Sequence, residues 1–258
     1  AKAYGVGQKT GIDLPSELSG RLPDRNWKKN WYAANKDYFC NYKEKAPQSQ
    51  QTAYLVALAQ ENCIDGDKVR AGDAVNFSIG QGDLLLTPLQ LASIYTSIAN
   101  GGTLVQPEVA QAIVSPSGKV LKKFTPIEKG KLPVAQSTID FIHGALRAVV
   151  TSGTARSVFT GLPVAVSGKT GTGQVFGRNP NGSAKDNTSW FASFAPSDKP
   201  QYTVIMVVSQ GGFGFSASGI GVRKIYEHIF GTNGQKAIFP NGVPTSIPTI
   251  DPSRNSLP

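Results

Sequence analysis

Apolar residues recur at helical spacing in four places along the chain and gather in strand-length runs in three more. Leu91, Ile94, Tyr95 and Ile98 follow the i, i+3, i+4, i+7 rule of a helix with one buried face. Thr87 offers an N-cap before them, Pro88 suits the first helical position, and Asn100-Gly101-Gly102 supplies a left-handed stop. A second helix is predicted from Ser137, with Asp140 completing a capping box and Ile139, Ile142, Leu146, Val149 and Val150 turned inward. A third places Val222, Ile225, Tyr226 and Ile229 on its inner face, and Ser49–Asn62 reads as a weaker one with Tyr54, Leu55, Leu58 and Ala59 together. The strand candidates are Val164–Thr170, Ser189–Ala195 and Tyr202–Ser209, and Ala112–Leu121 reads as a hairpin turning at Pro116-Ser117-Gly118. Helix, consecutive strands with short links, then helix predicts an α+β fold, an antiparallel sheet flanked by helices.

The remaining segments are loops in this reading. Ala1–Lys28 carries turn signals at Gly11, Pro15, Gly20 and Pro23. Trp27–Arg70 is a polar stretch, and residues 28–70 read as an insertion, either partner-binding or merely decorative. Gly211–Gly219 is a glycine- and serine-rich link, and residues 232–258 read as a Pro-rich, weakly ordered tail.

Composition narrows the class. The chain has 258 residues, 40% of them hydrophobic and 17% charged, with a net charge of +9. That is enough to bury a core unaided, and it excludes collagen, coiled coil and wholesale disorder. No run approaches the roughly 18–20 apolar residues needed to cross a bilayer. The positive balance raises nucleic acid as a partner, but no recognition motif supports it. Cys40 and Cys63 are either a disulfide, worth roughly 3 kcal/mol for a loop of this length, or two free thiols. With only His143 and His228 beside them, no zinc site is expected. The opening Ala1-Lys2-Ala3-Tyr4 is unlike a signal peptide and reads as the middle of something, a fragment or a processed chain.

The chemistry concentrates in Ser167-Gly168-Lys169-Thr170-Gly171-Thr172-Gly173. A phosphate-binding loop needs a glycine five residues before Gly168, where Pro163 stands, and a helix after the lysine, where Gly171-Thr172-Gly173 follow. The better reading is Lys-Thr-Gly on a strand edge. Lys169 then sets a cation beside a cleft, and Thr170 and Thr172 add hydroxyls for a carboxylate. Gly171 and Gly173 let a substrate backbone approach the edge. A glycine-rich turn with a surface lysine is the plainer alternative. His143 and His228 lack an evident acid–base partner, and Lys122, Lys123, Lys129 and Lys131 read as solvated charges on a loop or edge. Gln174–Thr188 either borders the cleft or forms a surface hairpin.

Lys169-Thr170-Gly171-Thr172 resembles the third motif of penicillin-binding proteins. Further strings fall in the order of the class B transpeptidases: Thr10-Gly11-Ile12-Asp13-Leu14-Pro15, Trp27-Lys28, Ile79-Gly80-Gln81-Gly82, Leu86-Thr87-Pro88, Gly153-Thr154-Ala155, Trp190-Phe191, Ala195-Pro196 and Arg223-Lys224-Ile225-Tyr226. Gly11-Ile12-Asp13-Leu14-Pro15 is most similar to the elongation-type members, those like penicillin-binding protein 2. A β-lactamase shares the lysine motif but gives no reason for the Gly-Gln-Gly segment or the final helix.

The resemblance implies a peptidoglycan D,D-transpeptidase of the penicillin-binding, serine-transpeptidase-like fold. A serine attacks the D-Ala-D-Ala donor of one stem peptide, and the acyl group passes to an amine on a neighbouring strand. β-Lactams acylate the same serine. It further implies that Lys169, Thr170 and Thr172 hold the donor carboxylate, that the Thr172 N–H forms one arm of an oxyanion hole, and that no cofactor or metal takes part. It places the protein at the outer face of the bacterial plasma membrane, with an anchor upstream and glycosyltransferase or elongation proteins as partners. Such a setting suits a basic surface.

One departure is large. No serine here has lysine three residues on, and Ser-x-Asn occurs only at Ser253-Arg254-Asn255, downstream of the lysine motif instead of upstream. Residues 1–231 therefore read as a partial transpeptidase domain whose nucleophile lies outside this chain, inactive by itself. The competing expectation is a non-catalytic interaction or scaffold domain on the same fold.

Overall fold

In the computed structural model, which describes residues 1–175 and 177–238, the polar stretch after Pro23 is helical. Asp24 accepts the Trp27 N–H and starts α1, Arg25–Cys40. Then follow α2 (Tyr42–Lys45), α3 (Ala53–Asp65), capped by the Thr52 hydroxyl, and α4 (Ala71–Ser78), where Asp73 accepts the Arg70 N–H. Composition hid α1 because its residues are mostly polar and solvent-facing. Its apolar contacts come from aromatic rings one and two turns apart, Trp27 stacked on Trp31 and Trp31 against Phe39. The predicted helix at 49–62 becomes α3, shifted toward its C-terminus. Ala59 is its buried residue, whereas Tyr54 is exposed, which corrects the expected inner face. Cys40 and Cys63 are joined as a disulfide, so of the two readings left open the bridge is the one observed.

The helix predicted after Thr87 is α5, Pro88–Ala99, with a reciprocal cap between Thr87 and Gln90. The buried Gln90 amide also donates to the carbonyls of Gln8 and Ser19, which ties the N-terminal loop to this helix. Four short strands follow: β1 (Thr103–Val105), β2 (Ala112–Val114), β3 (Val120–Lys123) and β4 (Glu128–Lys131). The β2–β3 hairpin is the predicted one. The antiparallel β1–β4 pair was not foreseen, because β4 reads Glu-Lys-Gly-Lys and lies exposed throughout. Lys122, Lys123, Lys129 and Lys131 thus sit on solvated strands.

Helix α6 spans Gln136–Thr151 and buries Ile139, Leu146 and Val150 as expected. Its start differs. Ala135 occupies the cap position, and Asp140 accepts from the Gln136 side chain one turn earlier, so Ser137 and Asp140 make no capping box.

After the short α7 (Arg156–Phe159) come β5 (Ser167–Gly173), β6 (Thr188–Ala195) and β7 (Tyr202–Val208). β5 begins three residues later than predicted and carries the whole lysine motif. Among the described residues these strands form one antiparallel sheet in the order β5-β6-β7, which leaves β5 on an edge. A π-helical turn, Phe215–Gly219, leads into α8, Ile220–Phe230.

Alternation along β6 sends its side chains to two cores. Phe191 and Ala195 pack with Phe159, Val222 and Tyr226 on the α7–α8 side, and Phe194 packs with Ile98 and Leu146 on the α5–α6 side. The buried serines of β6 are paired: the Ser193 and Tyr226 hydroxyls lie 3.0 Å apart, and those of Ser189 and Ser218 lie 2.8 Å apart. Burial raises the Tyr226 phenol well above its ordinary pKa. Ile225, expected on the inner face of α8, is 38% exposed, so Val222 and Tyr226 carry that face. The predicted tail begins with residues folded back on α8, where the Ile238 N–H donates to the His228 carbonyl. Residues 239–258, with Ser253-Arg254-Asn255, lie outside the described residues.

Candidate active site

The lysine motif lies along the open edge of β5. The ladder to β6 uses one side of the strand, with Gly171 opposite Trp190 and Thr172 opposite Ser189. On the other side, the Thr170 carbonyl accepts from Lys169 Nζ at 2.9 Å and the Thr172 carbonyl accepts from Gln81 Nε2 at 2.8 Å. Just before the strand, the Val166 carbonyl accepts from Arg147 of α6 at 2.9 Å. In an extended antiparallel strand the N–H and C=O of one residue project the same way. The N–H groups of Thr170 and Thr172 therefore project off the free edge, available to an incoming backbone or an oxyanion.

That edge faces a cleft of about 440 Å³ between β5–β6 and the Ile79–Leu86 segment. Lys169 is the charged side chain on its wall among the described lining residues, and it is exposed. Its ammonium lies 3.2 Å from the Thr170 hydroxyl, which in turn lies 3.2 Å from the Thr154 hydroxyl. The Thr172 hydroxyl accepts the Gly214 N–H at 3.3 Å, which leaves its own proton to donate. Ammonium, hydroxyls and backbone donors along one edge make a carboxylate- and oxyanion-binding surface.

Two backbone features build the cleft. Gly80 and Gly82 both take positive φ, 76° each, which lets the chain turn tightly on either side of Gln81 and aim its amide at β5. Gly214 lies against the β5–β6 backbone so closely that a Cβ there would come within 2.5 Å of the Gly171 carbonyl oxygen. The π-helical turn beyond it depends on that approach. Tyr95, from α5, also lines the cleft, and burial pushes its phenol up to about 12, so it stays neutral.

The structure brings Lys169, Thr170, Gly171, Thr172 and Gly173 together on the cleft wall. Gln81, Tyr95 and Gly214 were not singled out as site residues in the sequence reading. The two glycines around Gln81 were the available signal, because a polar residue between two turn glycines is placed by the backbone. Gln174–Thr188 does both things proposed for it: Gln174 and Val175 line the cleft, and Arg178 bridges Ala184 farther out. His143 Nε2 lies 2.8 Å from the Ile98 carbonyl with its ring packed against Phe194, whereas His228 is exposed on α8, its Nδ1 2.9 Å from the Lys224 carbonyl one turn back. Among the described residues no group of three His, Cys, Asp or Glu is placed to hold a metal, and no helix is long and apolar enough to cross a membrane.

Comparison with known proteins agrees with this architecture. The penicillin binding protein transpeptidase domain model matches residues 1–227. The peptidoglycan D,D-transpeptidase MrdA of Haemophilus influenzae is 27% identical over 243 residues, which is 88% of this chain and 31% of that protein. Penicillin-binding protein 2B of Streptococcus pneumoniae is 30% identical over 214 residues, 79% of this chain and 24% of that one. The chain thus spans under a third of the length of these two relatives. Among solved structures, PBP2 of Pseudomonas aeruginosa in complex with WCK 5153 matches with a TM-score of 0.63 at 25% identity, covering 93% of this chain and 45% of that one. PBP2 of Helicobacter pylori, solved in complex with MreC, matches at 0.58 and 26% identity, over 88% of this chain and 34% of that one. The chain belongs to the penicillin-binding protein transpeptidase family and is a PBP2-like, class B transpeptidase region of it.

Proposed function

We propose that this chain is the donor-binding part of a peptidoglycan D,D-transpeptidase that cross-links stem peptides by serine acyl transfer. The observation that carries the reading is the free edge of β5, where Lys169, Thr170 and the Thr172 N–H meet at the cleft. The D-Ala-D-Ala donor adds to that edge as a short strand. Its terminal carboxylate is held by the Lys169 ammonium and the Thr170 and Thr172 hydroxyls. The Thr172 N–H supports the oxyanion as the serine adds, and one such donor is typically worth about 2.7–4 kcal/mol in the transition state. Lys169 also raises the local positive potential at the serine of the second motif. Acyl transfer of this kind needs a nucleophile and proton acceptors, not a redox group. β-Lactams occupy the same edge as donor mimics.

The nucleophile belongs to polypeptide outside this chain, since none of its serines has lysine three residues on. The reading places the whole protein at the outer face of the bacterial plasma membrane. The partners it would have there are glycosyltransferase or elongation proteins, a reading supported by two structural neighbours solved as assemblies, one described as a peptidoglycan synthase complex and one as a complex of PBP2 with MreC.

The missing serine motif also favours a second reading, a non-catalytic interaction domain on the same fold. Intact-mass measurement after incubation with a labelled penicillin separates the two. The transpeptidase reading expects one adduct on the whole protein and none on the 258-residue chain. No adduct on either supports the interaction domain, and a stoichiometric adduct on the isolated chain contradicts the location of the nucleophile.

A further inference from the structure

The turn Gly80-Gln81-Gly82 stands between two open spaces. On one side is the cleft, and on the other is a cavity of about 800 Å³ walled by α1, α3 and α4, with Gln81 and Gly82 lining both. Packing therefore does little to hold the turn. A Cβ at Gly80 would find no atom within 4 Å, and Ile79 beside it is 70% exposed. The two glycines at positive φ add conformational freedom on either side of Gln81. Yet the Gln81 amide must meet the Thr172 carbonyl, so something else fixes the turn.

Two cations do so, both gripping the next residue, Asp83. Arg21 Nε donates to the Asp83 carbonyl at 2.6 Å, while its guanidinium lies over the Trp27 ring and its backbone pairs with Leu85. Lys28, in the first turn of α1, donates to the Asp83 carboxylate at 3.2 Å. The same ammonium lies 3.5 Å from the Asp73 carboxylate, which accepts the Arg70 N–H at the start of α4. Lys28 is buried, so salt and solvent screen these contacts little. One ammonium thus joins α1, α4 and the cleft wall. Without it, two carboxylates would face each other across the position it fills, and their repulsion would push the turn away.

Resting on the transpeptidase reading, we propose that Lys28 is a positioning residue for acylation. Through Asp83 it fixes the turn, and through Gln81 the turn sets the Thr172 end of β5, where the free N–H groups meet the donor. Lys28 lines the cavity and not the cleft, so it acts on the donor only by way of the turn. The helices between Lys28 and Asp73 are then the mount of this clamp, bringing charges from α1 and α4 to one point.

The test uses the whole protein. Asp83→Ala cuts the clamp while Lys28 keeps Asp73 as its counter-ion, so no buried charge is left unpaired. Lys28→Met is the second variant, and if it does not fold, Asp83→Ala decides alone. The second-order rate of labelling by a fluorescent penicillin is expected to fall about tenfold in each. In a Gln81→Ala background the same changes are expected to cost less than about twofold, because the route they act through is already cut. Deuterium uptake, which needs no activity, is expected to rise in peptides covering residues 79–86 and 167–175. Wild-type rates in the folded variants, a tenfold loss repeated in the Gln81→Ala background, or unchanged uptake at 167–175 each overturns the proposal. A wild-type whole protein that takes no label overturns the transpeptidase reading instead, and uptake at 167–175 then decides whether the clamp sets β5.

Discussion

Gln81 donates its side-chain amide to the carbonyl of Thr172 at 2.8 Å, a bond between residues 91 apart in sequence. It couples the turn that walls the cleft to the strand that carries the lysine motif. Removing it leaves β5 paired on its β6 side only at that point. The net stability of one such bond is small, about 0.5–1.5 kcal/mol. Its effect on positioning is larger, because a shift of about 1 Å in a binding edge can cost about a hundredfold in rate.

Gln81→Ala in the whole protein is therefore expected to slow acylation by a labelled penicillin about tenfold while lowering the denaturation midpoint little. Gln81→Glu, which has no amide to donate, shifts the rate in the same direction. Stopped-flow or time-resolved labelling checks this, and wild-type rates in both variants exclude the coupling.

The Cys40–Cys63 bridge fastens the end of α1 to α3 across a sequence separation of 23. A loop of that length is stabilised by about 3 kcal/mol in the chain-entropy account. The Cys40→Ala/Cys63→Ala double variant is expected to lose that order of stability in urea unfolding. A midpoint unchanged from wild type means the α1–α3 packing, including the Tyr32 hydroxyl bond to the Cys63 carbonyl at 2.8 Å, holds the segment without it.

Acid weakens this fold through carboxylates that accept hydrogen bonds. The Ala110 and Val109 N–H groups hold Asp13 below its ordinary pKa, at 2.9 and 2.7 Å. Arg223 and then Asn233 do the same for Glu227. A depressed folded pKa means the carboxylate contributes above its unfolded value, near 4, and that contribution fades as pH falls through the folded value. Stability is expected to decline below about pH 4, and less steeply in Asp13→Asn. Urea midpoints measured across that range decide it, an identical slope in the variant being the contrary result.

Much of this architecture was readable from spacing alone. Thr87-Pro88 and the Leu91, Ile94, Tyr95 and Ile98 stripe became α5, and Ser189–Ala195 became β6 almost residue for residue. These segments carry both a periodic apolar face and a local start or stop, so pattern and chemistry agree. α1 was missed because tertiary contacts, not a broad apolar stripe, hold it: Lys28 is buried only because Asp73 and Asp83 meet it from other segments. β4 was missed because its strand pairing is not written in its charged side chains. The expected box at Ser137 and Asp140 fitted a motif, but the helix starts one residue earlier, at Gln136. In the site, the lysine motif was legible as a local string. The Gln81 bond and the cavity beside the cleft were not, since each needs segments far apart in sequence to meet.

The account turns on Lys169 holding the donor at the edge of β5. The most direct measurement is the second-order rate of covalent labelling of the whole protein by a fluorescent penicillin, wild type against Lys169→Met. Lys169 is exposed and leaves the packed core alone. The variant is therefore expected to keep its unfolding midpoint and to lose about a hundredfold or more in labelling rate. Labelling at the wild-type rate by a folded Lys169→Met protein contradicts the assignment of the donor carboxylate to this strand edge.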